Sequence, residues 1–225
     1  MTPDFFSDPA TVASYVERTR HAVPGLDVLH RLVEQVLAES VPQDGRVLVV
    51  GAGGGLELTH LAERHDRWMF DGVDPSAPML QLARETMGPL ASRVALHEGD
   101  VTCAPSGPFD AATCLLTLHF LTAVQRLETL SEIHRRLRPG APLLVFHHSV
   151  PDDDARAARF ERYARFAAGP DAASGDVARS GATLATQLPL IGPEEDERLL
   201  CQAGFDGVEI FYTALTLRGW LAYAE

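Results

Sequence analysis

The spacing of apolar residues along the chain changes near residue 45. Before that point, residues 8–21 carry an amphipathic helical pattern, and Pro24-Gly25 separates it from a second one. The second pattern consists of Leu26, Leu29, Leu32, Val33, Val36 and Leu37. After residue 45, short continuous apolar runs such as VLVV (47–50) alternate with helical patterns. We therefore expect a helical N-terminal cap at 1–44, followed at 45–225 by one Rossmann-like α/β domain with an open parallel sheet.

The later part of the chain interrupts this alternation at 151–192. The stretch DDDARAARFERYARF has helical spacing with an acidic first turn, and the Gly-, Ala- and Ser-rich stretch 167–185 predicts a loop. We expect this insertion to act as a lid over a ligand. Beyond it, EEDERLLCQAGF predicts a helix that ends near Gly204, and VEIFYTAL with RGWLAYAE predicts a closing antiparallel strand pair.

The basic residues narrow the possible functions, because all 19 of them are arginine and none is lysine. A Walker phosphate loop, a kinase, a pyridoxal-phosphate Schiff base and a Tyr-Lys short-chain dehydrogenase each need a lysine, so these classes are excluded. The formal net charge of −12 argues against a nucleic-acid surface.

Composition also bears on location and metals. No apolar stretch approaches about 20 residues, and the N-terminus lacks a basic region followed by an apolar core. We therefore expect no membrane partner and a cytoplasmic location. Cys103, Cys114 and Cys201 are odd in number and far apart, which predicts neither a disulfide framework nor a metal site.

Candidate chemistry begins in RVLVVGAGGGLELTHLAERH (46–65), where four glycines fall in five positions between a strand and a helix. Such a loop lets the backbone approach a ligand and point N–H groups at it. The spacing Gly51-x-Gly53-x-Gly55 departs from the dinucleotide fingerprint, because position 56 is leucine. Asp74 and Asp100 end the second and third predicted strands, where they are placed to accept ribose hydroxyls and the adenine amine, or merely to cap the next turns. The combination favours an adenosine site.

Five motifs occur in order: VLVVGAGGGLELTHLA, GVDPSAPMLQLARE, EGDV, the strand at 110–116, and RRLRPGAPLLVF. Together they resemble class I S-adenosylmethionine-dependent methyltransferases over roughly residues 45–150. The resemblance implies a seven-stranded, mostly parallel sheet with an antiparallel last strand pair and helices on both faces. It also implies S-adenosylmethionine as donor and S-adenosylhomocysteine as product. The donor-binding residues that we predict are Gly51, Ala52, Gly53, Gly55, Asp74, Pro75, Asp100, Val101 and Leu115.

The flanking segments AVPGLDVLHRLVE, LLTLHFL and LCQAGFDGVEIFYTAL resemble the bacterial enzymes that use carboxy-S-adenosylmethionine to modify the wobble uridine of tRNA. In that family an arginine pairs with the donor's extra carboxylate, and the matching position falls at or near Arg179. The tyrosine and the asparagine expected nearby are Leu26 and Leu115 in this chain. The resemblance therefore implies donor or substrate contacts at Arg179 and Leu26. At Leu26 and Leu115, leucine replaces the polar side chain that the family has.

Methyl transfer from a sulfonium requires mainly that donor and acceptor be held in line, so the sequence demands no single catalytic residue. His119, after the fourth strand, and His147, with its neighbour His148 at the end of the fifth, are the candidates for a general base. The arginines between 156 and 165, interleaved with aromatic residues, allow either contact with RNA or ion pairs on a solvated helix.

Three functions remain open from the sequence. The first is a methyltransferase acting on a small molecule, and the second is the tRNA modifier using the carboxylated donor. The third is a donor-binding subunit without catalysis. A nicotinamide oxidoreductase is more distant, since it would leave Asp100 without a role. A homodimer is possible in each case.

Overall fold

The structure is a computed structural model that describes residue 6 and residues 8–225 of the chain. Its strands are β1 (Arg46–Val50), β2 (Met69–Asp74), β3 (Val94–Glu98), β4 (Ala111–Leu115), β5 (Pro142–His148), β6 (Phe205–Ala214) and β7 (Leu217–Ala224). Its α-helices are α1 (Pro9–Ala13), α2 (Tyr15–Ala22), α3 (Leu26–Ser40), α4 (Leu56–Arg64), α5 (Ala77–Met87), α6 (Ala123–His134), α7 (Arg156–Ala168), α8 (Ser174–Gln187) and α9 (Pro193–Gln202).

The strands form one seven-stranded sheet in the order β3-β2-β1-β4-β5-β7-β6. Strands β1 to β5 are parallel, whereas β7 runs antiparallel to both β5 and β6. The order reverses between β1 and β4, which is the switch point at which open α/β sheets bind ligands. The prediction of a mostly parallel seven-stranded Rossmann-like sheet is confirmed.

The sheet is covered on both faces, and β1 shows why its sequence is a continuous apolar run. Val47 and Val49 pack into a core that also contains buried residues of α3, α4, α5 and α7. Leu48 and Val50 point to the other face, into a core shared with α6 and α9. A strand buried on both sides has no polar position to alternate with, as the sequence predicted.

The loop predicted at 167–185 is wrong over most of its length, because α8 spans Ser174–Gln187. Small residues were interpreted as loop formers, but here they allow close packing of helices. Gly181 is buried against α7, and a Cβ atom there would lie 2.9 Å from the backbone N and Cα of Glu161. The insertion is thus largely a helical pair, α7 and α8, that packs beside α2.

Within the described part of the chain, no helix combines the length and apolar character needed to cross a membrane.

Candidate active site

The site lies at the carboxyl ends of β1, β2 and β4, beside the glycine loop. The backbone N–H groups of Gly51 and Ala52 both donate to the carbonyl oxygen of Val73, at 2.8 and 3.0 Å. Gly51 has φ +79°, and a Cβ atom there would lie 1.9 Å from Oγ1 of Thr117. Position 51 therefore accepts only glycine, because any other side chain would be strained at this φ angle and would clash with Thr117.

Asp74 links this loop to the start of α5. Its Oδ2 accepts from the N–H of Gly53 and its Oδ1 from the N–H of Ser76, both at 2.9 Å. Burial raises the pKa of Asp74 from its usual value, and these two backbone bonds oppose the rise. A carboxylate has about four acceptor positions, so the two bonds leave capacity for the hydroxyls of a ligand.

A cavity of about 350 Å³ opens in front of Asp74, and we call it the main cavity. This volume is in the range of small-ligand sites. Its lining consists of Phe6, Tyr15, Gly51, Gly53, Asp74, Pro75, Ser76, Met79, Leu115, Leu116, Thr117, Phe120, Leu121 and Gln125. Among these described lining residues there is one carboxylate and no arginine. Leu116, in the loop after β4, has φ +57°, a strained backbone conformation for leucine of the kind that clusters at functional sites.

Phe6 and Tyr15 line the main cavity on one side. The Ser76 hydroxyl donates to the carbonyl oxygen of Phe6 at 2.7 Å, and the Phe6 ring stands edge-on to those of Tyr15 and Phe120. Sequence reasoning missed Phe6 and Tyr15, because they lie far along the chain from the glycine loop and carry no motif.

The structure brings many of the predicted donor-binding residues together. Gly51, Gly53, Asp74, Pro75 and Leu115 line the main cavity. A second, smaller cavity next to it is lined in part by Ala52 and Leu26, while Gly55 begins α4 with φ +80°.

Asp100 and Val101 lie outside the lining of the main cavity. Asp100 is exposed and its Oδ1 accepts from the N–H of Thr102 at 2.9 Å, so it caps the short turn Val101–Cys103. Val101 is buried in the core beneath. The alternative of a capping aspartate is thus observed, and contact with an adenine amine stays a prediction.

Arg179 is also distant from the cavity lining. It lies on α8 with its side chain 77% exposed and ion-paired to Asp176. Its predicted contact with a donor carboxylate has no counterpart in the geometry of the single chain.

His119 belongs to a buried aromatic group next to the main cavity. Its ring centroid lies 4.1 Å from that of Phe120, which lines the cavity, and 5.0 Å from that of His148. His148 in turn contacts Tyr163 at 4.6 Å and exchanges a hydrogen bond with Thr216 at 2.8 Å. Burial, and the nearness of other imidazoles, hold the pKa of His119 well below its usual range and lower that of His148 to about 3. Both imidazoles are therefore neutral at physiological pH, and Nδ1 of His119 is buried without a hydrogen-bond partner.

His147 points to the opposite face of β5. Its Nε2 lies 3.1 Å from Oδ1 of Asp196, the same oxygen that Arg126 contacts at 2.6 Å in a fully buried ion pair. Arg126 also donates to the carbonyl oxygens of Leu121 and Pro189. This cluster ties α6, α9 and β5 together, so the geometry separates His147 from the cavity and leaves His119 as the nearer candidate base.

Three arginines of α7, among them Arg159 and Arg165, form ion pairs. Arg159 contacts Asp153, and Arg165 contacts Glu161, while the intervening Phe160 is buried. This arrangement favours the solvated-helix interpretation over an RNA-binding face.

The protein has a Rossmann-like fold, and its main cavity lies beside the switch point of the sheet. Residues 47–140 match the family described as "Methyltransferase domain". This segment is therefore similar to methyltransferase domains, and two of the similar solved structures are methyltransferase-fold proteins bound to S-adenosylhomocysteine.

The similar proteins span nearly the whole chain. A relative from Campylobacter curvus, named carboxy-S-adenosyl-L-methionine synthase, is 25% identical over 221 residues, covering 97% of this chain and 94% of the relative. Among solved structures, CalO1, a methyltransferase in calicheamicin biosynthesis bound to S-adenosylhomocysteine, superposes with a TM-score of 0.63 at 20% identity over 99% of this chain. PigF with S-adenosylhomocysteine gives 0.66 at 17% identity over 97%. This chain covers only 60% and 61% of those two solved chains, and the likeness to them concerns the fold.

Proposed function

We propose that the main cavity binds plain S-adenosylmethionine and that the chain transfers its methyl group to a small-molecule acceptor. The observation that carries this proposal is a cavity of nucleoside size that joins the glycine loop to Asp74 and contains no arginine in its lining. The ribose hydroxyls would bind Asp74, and the methionine part would lie along Gly51 and Leu115. The adenine would lie near Pro75, with Asp100 and Val101 beyond it.

The acceptor would approach from the side of His119. His119 is neutral, has a ring nitrogen without a partner, and stands next to the cavity wall at Phe120. If the acceptor is a hydroxyl or amine that must lose a proton, His119 accepts it while the methyl carbon–sulfur bond breaks and the new bond forms. Apolar walls exclude water and keep donor and acceptor in line.

An acceptor of small size is supported by the surface of the chain. The net charge is −12, and Arg156, Arg159 and Arg165 of α7 contact carboxylates rather than standing free for phosphates. A homodimer remains a prediction.

The second candidate is formation of the carboxylated donor, as in the name of the C. curvus relative. Near-full-length similarity favours it, whereas the described residues that line the main cavity include no arginine to hold an added carboxylate. Relatives at this level of similarity are named for making that donor, which gives no support to its use on tRNA or to a non-catalytic subunit.

An experiment with deuterated methyl groups separates these candidates. The protein is incubated with S-adenosylmethionine carrying a trideuterated methyl group and with a small-metabolite extract, and the products are followed by mass spectrometry. We expect a trideuterated methyl group on a new small molecule, together with S-adenosylhomocysteine. Carboxy-S-adenosylmethionine that retains two deuterons would instead establish the second candidate, and absence of any turnover with all extracts would support a non-catalytic role.

A further inference from the structure

A small cavity of about 30 Å³ lies beneath the glycine loop, between α2, α3 and the start of α4. It shares Tyr15, Gly51, Leu115 and Leu116 with the lining of the main cavity. The two spaces are therefore neighbours across one wall, at the end of the main cavity that lies away from Asp74 and Pro75.

Glu57, in the first turn of α4, also lines this small cavity. Its Oε1 atom is buried and has no hydrogen-bond partner among residue 6 and residues 8–225. Burial raises the pKa of Glu57 to about 7, and the nearby Thr113 hydroxyl opposes that rise. Oγ1 of Thr113 is itself buried without a geometrically adequate partner. A buried carboxyl oxygen that lacks a hydrogen-bond partner is costly, so a ligand group that donates to Oε1 would be stabilising.

The ligand's own chemistry indicates which partner this is. S-adenosylmethionine has an adenosine end and an amino-acid end, and the second carries an ammonium group. With the ribose at Asp74, the chain of the methionine part runs past Gly51 and Leu115, toward the wall that the two cavities share. We propose that Glu57 binds the α-ammonium group of the donor. This inference rests on the donor site of the proposed function, and it is independent of the acceptor.

The surroundings of Glu57 leave it as the group that changes charge near neutral pH. Tyr15 from α2 and His30 from α3 also line the small cavity, and Cys114 from β4 lies near Glu57. Beyond them, His60 packs on His30, and Asp74 and Arg18 lie near Tyr15. Burial raises the pKa of Tyr15 and of Cys114 and lowers that of His30 to about 4. All three are neutral between about pH 6 and about pH 8, so a cation beside Glu57 has one carboxylate to pair with there.

Calorimetry with two ligands tests the pairing. S-adenosylhomocysteine carries the amino-acid part, and 5′-methylthioadenosine keeps the adenosine thioether without it. Glu57→Gln preserves the shape of the side chain but cannot carry charge. We expect this variant to bind S-adenosylhomocysteine at least about tenfold more weakly than wild type, and to bind 5′-methylthioadenosine with the same affinity within about twofold. Wild-type affinity for S-adenosylhomocysteine should also rise between about pH 6 and about pH 8, and the Gln variant should lack that rise.

Control variants keep the result interpretable. Glu63→Gln removes an exposed carboxylate from the same helix and should change neither affinity. Glu57→Asp keeps the charge on a shorter side chain and should fall between wild type and Glu57→Gln, which guards against a defect in folding.

Three outcomes would overturn the inference: an equal loss for both ligands, no loss for either, or an unchanged pH profile. Any of these would leave a buried water as the occupant of the small cavity. Failure of the wild type to bind either ligand would instead contradict the donor site itself.

Discussion

Asp74 is the residue on which the proposed donor site depends most. Asp74→Asn replaces one acceptor oxygen by an NH2 group, so the side chain loses one of its bonds from the N–H groups of Gly53 and Ser76 and cannot accept from both ribose hydroxyls. Loss of charge-assisted hydrogen bonds worth about 1.5–3 kcal/mol each should weaken S-adenosylhomocysteine binding by about tenfold or more. Isothermal titration calorimetry measures this change.

Asp100→Asn is the matched comparison for Asp74→Asn. Asp100 is exposed and caps a three-residue turn, so a large effect on donor affinity would indicate the predicted contact with the adenine amine. An Asp74→Asn variant that binds S-adenosylhomocysteine as tightly as wild type does would refute the ribose assignment.

How far the sequence predicts the site depends on whether a residue's role is local. Gly51 and Asp74 were predictable because Gly51 directly follows β1 and Asp74 ends β2, and the pattern of these strands is visible in the chain. Glu57 was not predictable, because the pattern of LELTHLAER is that of an ordinary amphipathic helix. Only the fold shows that this carboxyl group is buried. Tyr15 reaches the cavity from α2, across a separation in sequence that no motif spans.

At the scale of elements, the helical pair α7 and α8 is the feature that the sequence predicted least well. Strands β1 to β5 were predictable because burial on two faces imposes uninterrupted apolar runs. α8 was missed because its Gly and Ser residues have weak helix propensity, and the contribution of Gly181 is close contact with α7. In the structure, Phe6 and Tyr15 line one side of the main cavity. Movement of residues 151–192 as a lid stays a prediction.

Gly181 offers a direct test of this packing. Gly181→Val should lower the free energy of unfolding by about 1–3 kcal/mol, because its Cβ atom would press on the backbone of α7 at Glu161. Gly175→Ala, in the same helix, is the control: the nearest atom to a Cβ atom there is Nη1 of Arg179 at 3.7 Å. That variant should be neutral or slightly stabilising. Equal stabilities of the two variants in urea unfolding would contradict the packing of α7 on α8.

At the scale of the whole molecule, buried neutral histidines predict sensitivity to acid. The pKa of His30 is lowered to about 4 by burial and then by nearby His60, and that of His148 to about 3. A lowered folded-state pKa means that the stabilisation is present above the unfolded value of about 6.5 and is lost as pH falls toward 4. Glu57 has the opposite effect on stability, because its pKa is raised in the folded state. Its contribution to the free energy of unfolding is largest below about pH 4.5 and is lost as the pH rises through about 7.

His30→Leu isolates one part of this pH dependence. Leucine does not titrate, so the free energy of unfolding of the variant should fall less than that of wild type between about pH 6.5 and about pH 4. We expect the two decreases to differ by up to about 3 kcal/mol. His21→Leu, at an exposed position of α2, should leave the slope unchanged. Denaturant unfolding at a series of pH values provides the measurement, and identical slopes for wild type and His30→Leu would show that His30 is not held neutral by burial.

The measurement that tests the central claim most directly is competition between S-adenosylmethionine and carboxy-S-adenosylmethionine for wild-type protein, repeated with Arg179→Ala. The main cavity has no arginine in its lining, and Arg179 lies exposed on α8. We therefore predict that wild type binds the plain donor at least as tightly as the carboxylated one, and that Arg179→Ala changes neither affinity. Tighter binding of the carboxylated donor by about tenfold or more, abolished in Arg179→Ala, would contradict the account and make Arg179 the residue that selects the donor.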